Sequence, residues 1–175
     1  ADQYYVKALD NYPYEIEQVV ENLDYALSYD SDHAQANHLM ACMQMYILKQ
    51  FDLAAEYFDQ ALIGDLNYPD TYKNYSKLMI WMGEYEKANK LIAFGLKIKG
   101  MDRKSLLINK ALIYELKGNY KEAKHVLKDI KMYCLDESAT THIDGELSRI
   151  KNKIKNTKRK KVSAKGKYAS TKKEE

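Results

Sequence analysis

The sequence predicts an all-α protein assembled from stacked helix hairpins, and three observations carry that prediction. The first is composition: 175 residues contain only 2 Pro and 7 Gly, too little punctuation for a turn-dense β fold. The second is a period. Ala54, Ala88 and Ala123 stand 34 and 35 residues apart, and the aromatic three positions earlier (Phe51, Tyr85, Tyr120) keeps the same spacings. The third is that one joint is written three times, as LKQFDLAAEYF (48–58), WMGEYEKANKLI (81–92) and LKGNYKEAKHVL (116–127). Self-similarity at such a period marks stacked units, each too small to bury its own apolar face.

The elements follow in order. Residues 3–11 predict a short first helix. PYEIEQVVENLDYAL then predicts a second, ending at Tyr29, with Pro13 at a tolerated first-turn position. Hairpins are expected over residues 34–63, 69–97 and 104–132, joined by the polar links DSDH (30–33), LNYPD (66–70) and KGMDR (99–103). The first helix of each hairpin carries an apolar stripe: Leu39, Met40, Met43 and Ile47; Leu78, Met79 and Met82; Leu107, Ala111, Tyr114 and Leu116. Gly83 and Gly118 sit at the joints, where a residue tolerant of positive φ ends a helix. Asp70, after Pro69, is expected to cap the next helix. In the second helices, Ala54, Phe58 and Ala61 fall at i, i+4 and i+7 on one face, and the column Ala61, Gly95, Ile130 closes the stripe. A last helix over 137–157 presents Ile143, Leu147, Ile150 and Ile154 on one side, as a cap for the open end of a stack should. The folded region is therefore expected to span residues 1–157. Residues 158–175 (KRKKVSAKGKYASTKKEE) are too charged and too poor in apolar side chains to fold alone, and are expected to form a basic, disordered tail.

The period, the small residue midway along each first helix (Ala41, Ser76, Ala111), the aromatic after the turn and the Ala54/Ala88/Ala123 column resemble the tetratricopeptide repeat (TPR). The resemblance covers about residues 3–130. Asn37, Tyr72 and Leu107 stand where the family carries a first-helix tryptophan, and Pro69 is the only proline near a repeat boundary. It implies a TPR-like solenoid of about 3.5–4 repeats with a C-terminal capping helix. It also implies a non-enzymatic protein–protein interaction module or assembly adaptor, binding a partner segment in a concave groove lined by the first helices. The repeat phase turns Gln35, His38, Leu39, Cys42 and Tyr46 inward in one hairpin. Asp70, Lys73, Asn74, Lys77 and Trp81 face inward in the next, and Ser105, Ile108, Asn109 and Leu112 in the third. Asn74 and Asn109 hold the position at which family members often hydrogen-bond a ligand backbone, which suits an amide because it both donates and accepts. Lys73 and Lys77, one turn apart, are expected to attract a carboxylate. The carboxylate clamp for chaperone tails is not matched, because His38, Cys42 and Ser105 replace its basic or amide residues.

No catalytic constellation is present. The four histidines, His33, His38, His125 and His142, are scattered over different repeats. His38 and Cys42 share a helix face at i, i+4, but no further ligand pair joins them, so neither a metal site nor any cofactor is expected. Glu15/Glu17 and Glu84/Glu86 read as first-turn and surface charges, and there is no phosphate-cradling glycine loop or nucleophile elbow. Cys42 is expected to be a small buried thiol, and no local feature argues for its pairing with Cys134.

Sixteen tyrosines stand against 3 Phe and 1 Trp, which favours half-buried helix faces with polar tips. No apolar run reaches about 18 residues, and the opening ADQYYVKALD lacks a secretory pattern, so a cytoplasmic location is expected, although residue 1 is not Met. Charge is uneven: residues 149–175 hold 12 of the 28 Lys+Arg and 2 of the 25 Asp+Glu. That leaves an acidic body with a basic end centred on Lys158, Arg159, Lys160 and Lys161. Three readings of this end stay open: nucleic-acid phosphates, an anionic membrane surface, or a solvated end that contacts acidic protein. Only Tyr168 interleaves the charges, so base stacking is not indicated. Two alternatives to the groove-binding module therefore stand: a nucleic-acid-associated protein acting through the tail, and a structural subunit packed through a tyrosine-rich convex surface.

Overall fold

The structure, a computed structural model, describes residues 1–132, 134 and 137–171, with side chains described to residue 159. All regular structure among these residues is helical: α1 (Asp2–Asn11), α2 (Ile16–Tyr29), α3 (Ala34–Met43), α4 (Phe51–Gly64), α5 (Pro69–Trp81), α6 (Tyr85–Gly95), α7 (Arg103–Leu116), α8 (Tyr120–Met132) and α9 (Glu137–Thr171). A π-helical turn, Gln44–Leu48, continues α3. Two compact units are present, Ala1–Leu106 and Leu107–Glu175.

The first unit holds the hairpins α1/α2, α3/α4 and α5/α6. Its joints have a shared physical cause. Gly83 adopts φ 81°. Its N–H bonds the Ile80 carbonyl, and the Glu84 N–H reaches back to Met79, at 2.8 Å. This six-to-one and five-to-two pair of bonds satisfies carbonyls that the ended helix would leave orphaned. Lys49 takes the left-handed position in the preceding joint, at φ 58°. Here the bond from Gln50 runs one residue further back, to the Gln44 carbonyl at 2.9 Å. The sequence explains why: ten residues separate Ala41 from Phe51, against nine from Ser76 to Tyr85 and from Ala111 to Tyr120. The π-helical turn absorbs that extra residue. It also turns Ile47 and Leu48 outward, to 36% and 42% exposure, so Ile47 does not complete the buried stripe expected of it.

Packing in this unit centres on α3, of which only Gln35 is exposed. Val19, Leu23 and Ala26 of α2 pack with Leu39, Met40 and Met43 of α3 and Ala8 of α1. His33 supplies the N-cap of α3: its Nδ1 accepts from the Ala36 N–H at 3.2 Å. Its Nε2 meets Asp2 at 2.8 Å, which ties α1 to the start of α3. The abundance of tyrosine has a structural use as well. Tyr75 stacks on Phe58 and donates its hydroxyl to Asp59 at 2.6 Å, while Lys87 of α6 bonds the same hydroxyl. Tyr72 donates to the Leu66 carbonyl at 2.6 Å. In both, phenylalanine would leave a polar partner without its bond.

Two local expectations are corrected. Pro13 does not open a helix; the Tyr12–Pro13 bond is cis, and α2 begins at Ile16. Asp70 does not cap α5: Tyr68 is the N-cap, with no side-chain cap bond, Pro69 takes the first position, and Asp70 lies in the first turn. There its charge still suits the positive helix end.

In the second unit Ala111 of α7, Ala123, Leu127 and Ile130 of α8, and Ile143, Leu147 and Ile150 of α9 form one core, with Ile154 packed against it. The capping stripe expected of the last helix is the stripe observed. Leu116 is 52% exposed and lies outside this core. The backbone of α9 stays helical through Thr171, beyond the expected end near residue 157. Both cysteines are free, Cys42 buried and Cys134 partly so. Among the described residues no helix is long and apolar enough to cross a membrane.

Candidate functional site

Six of the residues expected to face inward in the first unit, His38, Cys42, Tyr46, Asn74, Lys77 and Trp81, come together between α5 and α3 with its π-helical turn, whereas Leu39 packs into the core with α2. Their polar atoms form two layers. In the deeper layer, Tyr46 donates its hydroxyl to Asn74 Oδ1 at 3.1 Å. This fixes the amide so that Nδ2 faces His38 Nε2 at 3.3 Å and Cys42 Sγ at 3.4 Å. Because Nδ2 donates, His38 Nε2 accepts, and its Nδ1–H is left to donate to Thr71 Oγ1 at 3.2 Å. The imidazole is thus a neutral tautomer, wedged between the rings of Phe58 and Tyr68.

Its electrostatics agree. Burial lowers the His38 pKa to about 4, with Asp70 opposing and Lys73 adding to the shift. Burial raises the Cys42 thiol to about 12, which keeps it protonated and inert as a nucleophile. Among the described residues no group of three His, Cys, Asp or Glu side chains is arranged to hold a metal ion.

The His38 shift sets a pH dependence. Its folded pKa lies below the ordinary value of 6.5, so the unfolded chain binds the proton more readily. Stability from this group is fully present above pH 6.5 and falls as pH drops toward about 4. The drop corresponds to roughly 3 kcal/mol at most. His38→Gln should show a shallower loss of thermal stability between pH 6.5 and 4 than the parent chain. Parallel curves would contradict the buried neutral imidazole.

The outer layer is aromatic and cationic. Tyr46 and Trp81 meet edge to face, with ring centroids 5.7 Å apart, and Phe51 backs Trp81 at 5.9 Å. Lys77 Nζ lies 5.4 Å from the Tyr46 ring and 5.3 Å from the Trp81 ring. This is the geometry in which a ring face attracts a cation. Trp81 is 42% exposed, while Lys73, Asn74 and Lys77 are half-buried.

The expected site residues therefore separate by role. Lys77 and Trp81 form an accessible patch. His38 is too buried to meet a ligand, and the Asn74 amide already has partners at both ends. Lys73 and Asp70 contribute charge close to the network. Asn109 is buried on α7 in the second unit. Lys158 and Arg159 are exposed on α9, whereas the side chains of Lys160 and Lys161 lie outside the described residues. Repeat phase turned Tyr46 inward without giving it a role, and it missed Thr71. The signal available was their place: Thr71 stands one turn before Asn74, and Tyr46 stands one repeat, 35 residues, before Trp81.

No family model and no curated protein matches the sequence. Two solved structures of tetratricopeptide-repeat proteins are similar to the chain. One is PilF of Pseudomonas aeruginosa, at 19% identity and a TM-score of 0.76, covering 89% of this chain and 69% of that one. The other is MamA, at 18% identity and a TM-score of 0.59, covering 78% of this chain and 72% of that one. At these identities the likeness is one of fold: the chain has the TPR-like, all-helical architecture.

Proposed function

We propose that the chain is a non-enzymatic interaction module, and that the α3–α5 face of its first unit takes a segment of a partner protein. The observation that carries this is the Tyr46–Lys77–Trp81 patch, a half-exposed aromatic pair with a cation over both rings. A buried network below holds it in place. Large rigid aromatics lose little conformational entropy on contact and are favoured anchors at interfaces. Lys77 adds a preference for a segment that presents a carboxylate among apolar side chains. Asn74 acts in this reading as a positioning residue: its bonds orient Tyr46, and Tyr46 orients Trp81.

Trp81 is the only tryptophan, so its emission reports the site directly. An array of extended peptides varying in acidic and apolar content should yield binders that shift Trp81 emission and lose affinity about tenfold in Lys77→Ala, a change of about 1.4 kcal/mol. Binders that leave the emission unchanged would place the binding surface elsewhere. The basic end of the chain is proposed to contact an anionic partner, supported by the concentration of Lys and Arg in residues 149–175.

A further inference from the structure

We propose that an acid-rimmed apolar groove on α2 receives the basic C-terminal segment of a second copy of the chain. The proposal rests on the reading of that segment as a contact for an anionic partner, and it names the partner. The groove, of about 670 Å³, runs along α2. Ile16 and Val20 line its floor, Leu48 closes it from the π-helical turn, and Glu17, Glu21 and Asp24 line its edge. Leu48 reaches this position because the turn that absorbs the extra residue rotates it out of the core. No lysine or arginine lines the groove, and none of the three carboxylates makes an ion pair among the described residues.

The complementary chemistry stands at the other end of the same sequence. Glu17, Glu21 and Asp24 are separated by four and three residues, one carboxylate per helical turn. Lys165, Lys161 and Lys158, taken in reverse, are separated by four and three as well, with Val162 among them. An antiparallel alignment of the two sequence patterns therefore pairs three cations with three carboxylates, with one apolar residue inside the basic pattern as there is an apolar floor inside the acidic one. The donor is assigned to a second copy because the three carboxylates make no ion pair among the described residues, while α9 stays helical through Thr171. Beyond Ile154, the last residue packed on the core of its unit among those whose side chains are described, it extends roughly 25 Å.

The test uses the full chain with Glu17, Glu21 and Asp24 all replaced by Lys, checked for unchanged helicity. Sedimentation velocity at about 50 mM salt should show concentration-dependent association of the parent chain, reversed by about 0.5 M salt and lost in the triple variant. A labelled peptide of residues 156–173 should bind the parent about tenfold more tightly than the triple variant, since attraction between opposite surface charges governs such contacts at low salt. Three results would overturn the proposal. The first is equal peptide binding by both proteins. The second is a parent that stays monomeric while the triple variant alone expands, which would place the segment on its own chain. The third is a peptide that binds duplex DNA or phosphatidylserine vesicles but neither protein, which leaves the tail its anionic partner and removes the groove. A peptide that binds none of these overturns the reading of the tail as well.

Discussion

Gly64→Ala lowers the thermal stability of the chain, although alanine is the better helix former. Gly64 is the last residue of α4. A Cβ built there would lie 1.8 Å from the Asp32 carbonyl oxygen and 3.1 Å from the Ala34 N–H nitrogen. Both atoms are backbone, so no side chain can swing aside. The segment is also pinned: His33, between them, caps α3 and meets Asp2. Helix propensity alone would favour alanine by about 1 kcal/mol. Forcing extra volume into a closed contact costs about 1–3 kcal/mol, and more when the backbone itself must move. The clash wins, and melting followed by circular dichroism should fall by roughly 5 °C. Gly145→Ala on α9 supplies the opposite sign, because nothing lies within 4 Å of the added carbon. That variant should hold or raise the melting temperature. If both variants behave alike, the close approach of α4 to the link before α3 is wrong.

The second large effect concerns how α9 is held to its unit. The Glu115 side chain is 3% exposed and bonds both Arg149 and Lys153, which are 43% and 44% exposed. Removing one side of this cluster is therefore not equivalent to removing the other. Glu115→Gln leaves two half-exposed cations that water can serve, a loss of about 1 kcal/mol. Arg149→Ala with Lys153→Ala strands a buried carboxylate, a loss of about 3–5 kcal/mol. Hydrogen exchange along α9 should quicken sharply in the double variant and little in Glu115→Gln. The reverse order would mean that the carboxylate is not buried as described.

The legible parts of the fold were those written as periods. The joints at Gly83 and Gly118, the small-residue columns and the stripe Ile143, Leu147, Ile150 and Ile154 follow from spacing, because helix packing repeats with the chain. The unread parts depend on single contacts between distant positions. Gly64 looks like any helix-end glycine until Asp32 is placed against it. His33 reads as a link residue until its ring nitrogens meet Ala36 and Asp2. The π-helical turn lies between these cases: the extra residue between Ala41 and Phe51 was countable, but the helix that absorbs it was not.

The candidate site was half legible for the same reason. Repeat phase placed Asn74, Lys77 and Trp81 on the inward face. It did not foresee that Asn74 would be satisfied by Tyr46, His38 and Cys42, since that requires the neighbouring helix. The proposed function therefore assigns a division of labour in which Asn74 supports the wall while Lys77 and Trp81 are the residues offered to a ligand.

One paired measurement tests that division most directly: peptide affinity and melting temperature in Lys77→Ala/Trp81→Ala beside Asn74→Ala. The first variant should lose binding while staying folded with unchanged helicity. The second should lose about 1–3 kcal/mol of stability by orphaning His38 and Tyr46. Binding that survives the loss of Lys77 and Trp81 would contradict the assignment of this face as the partner site.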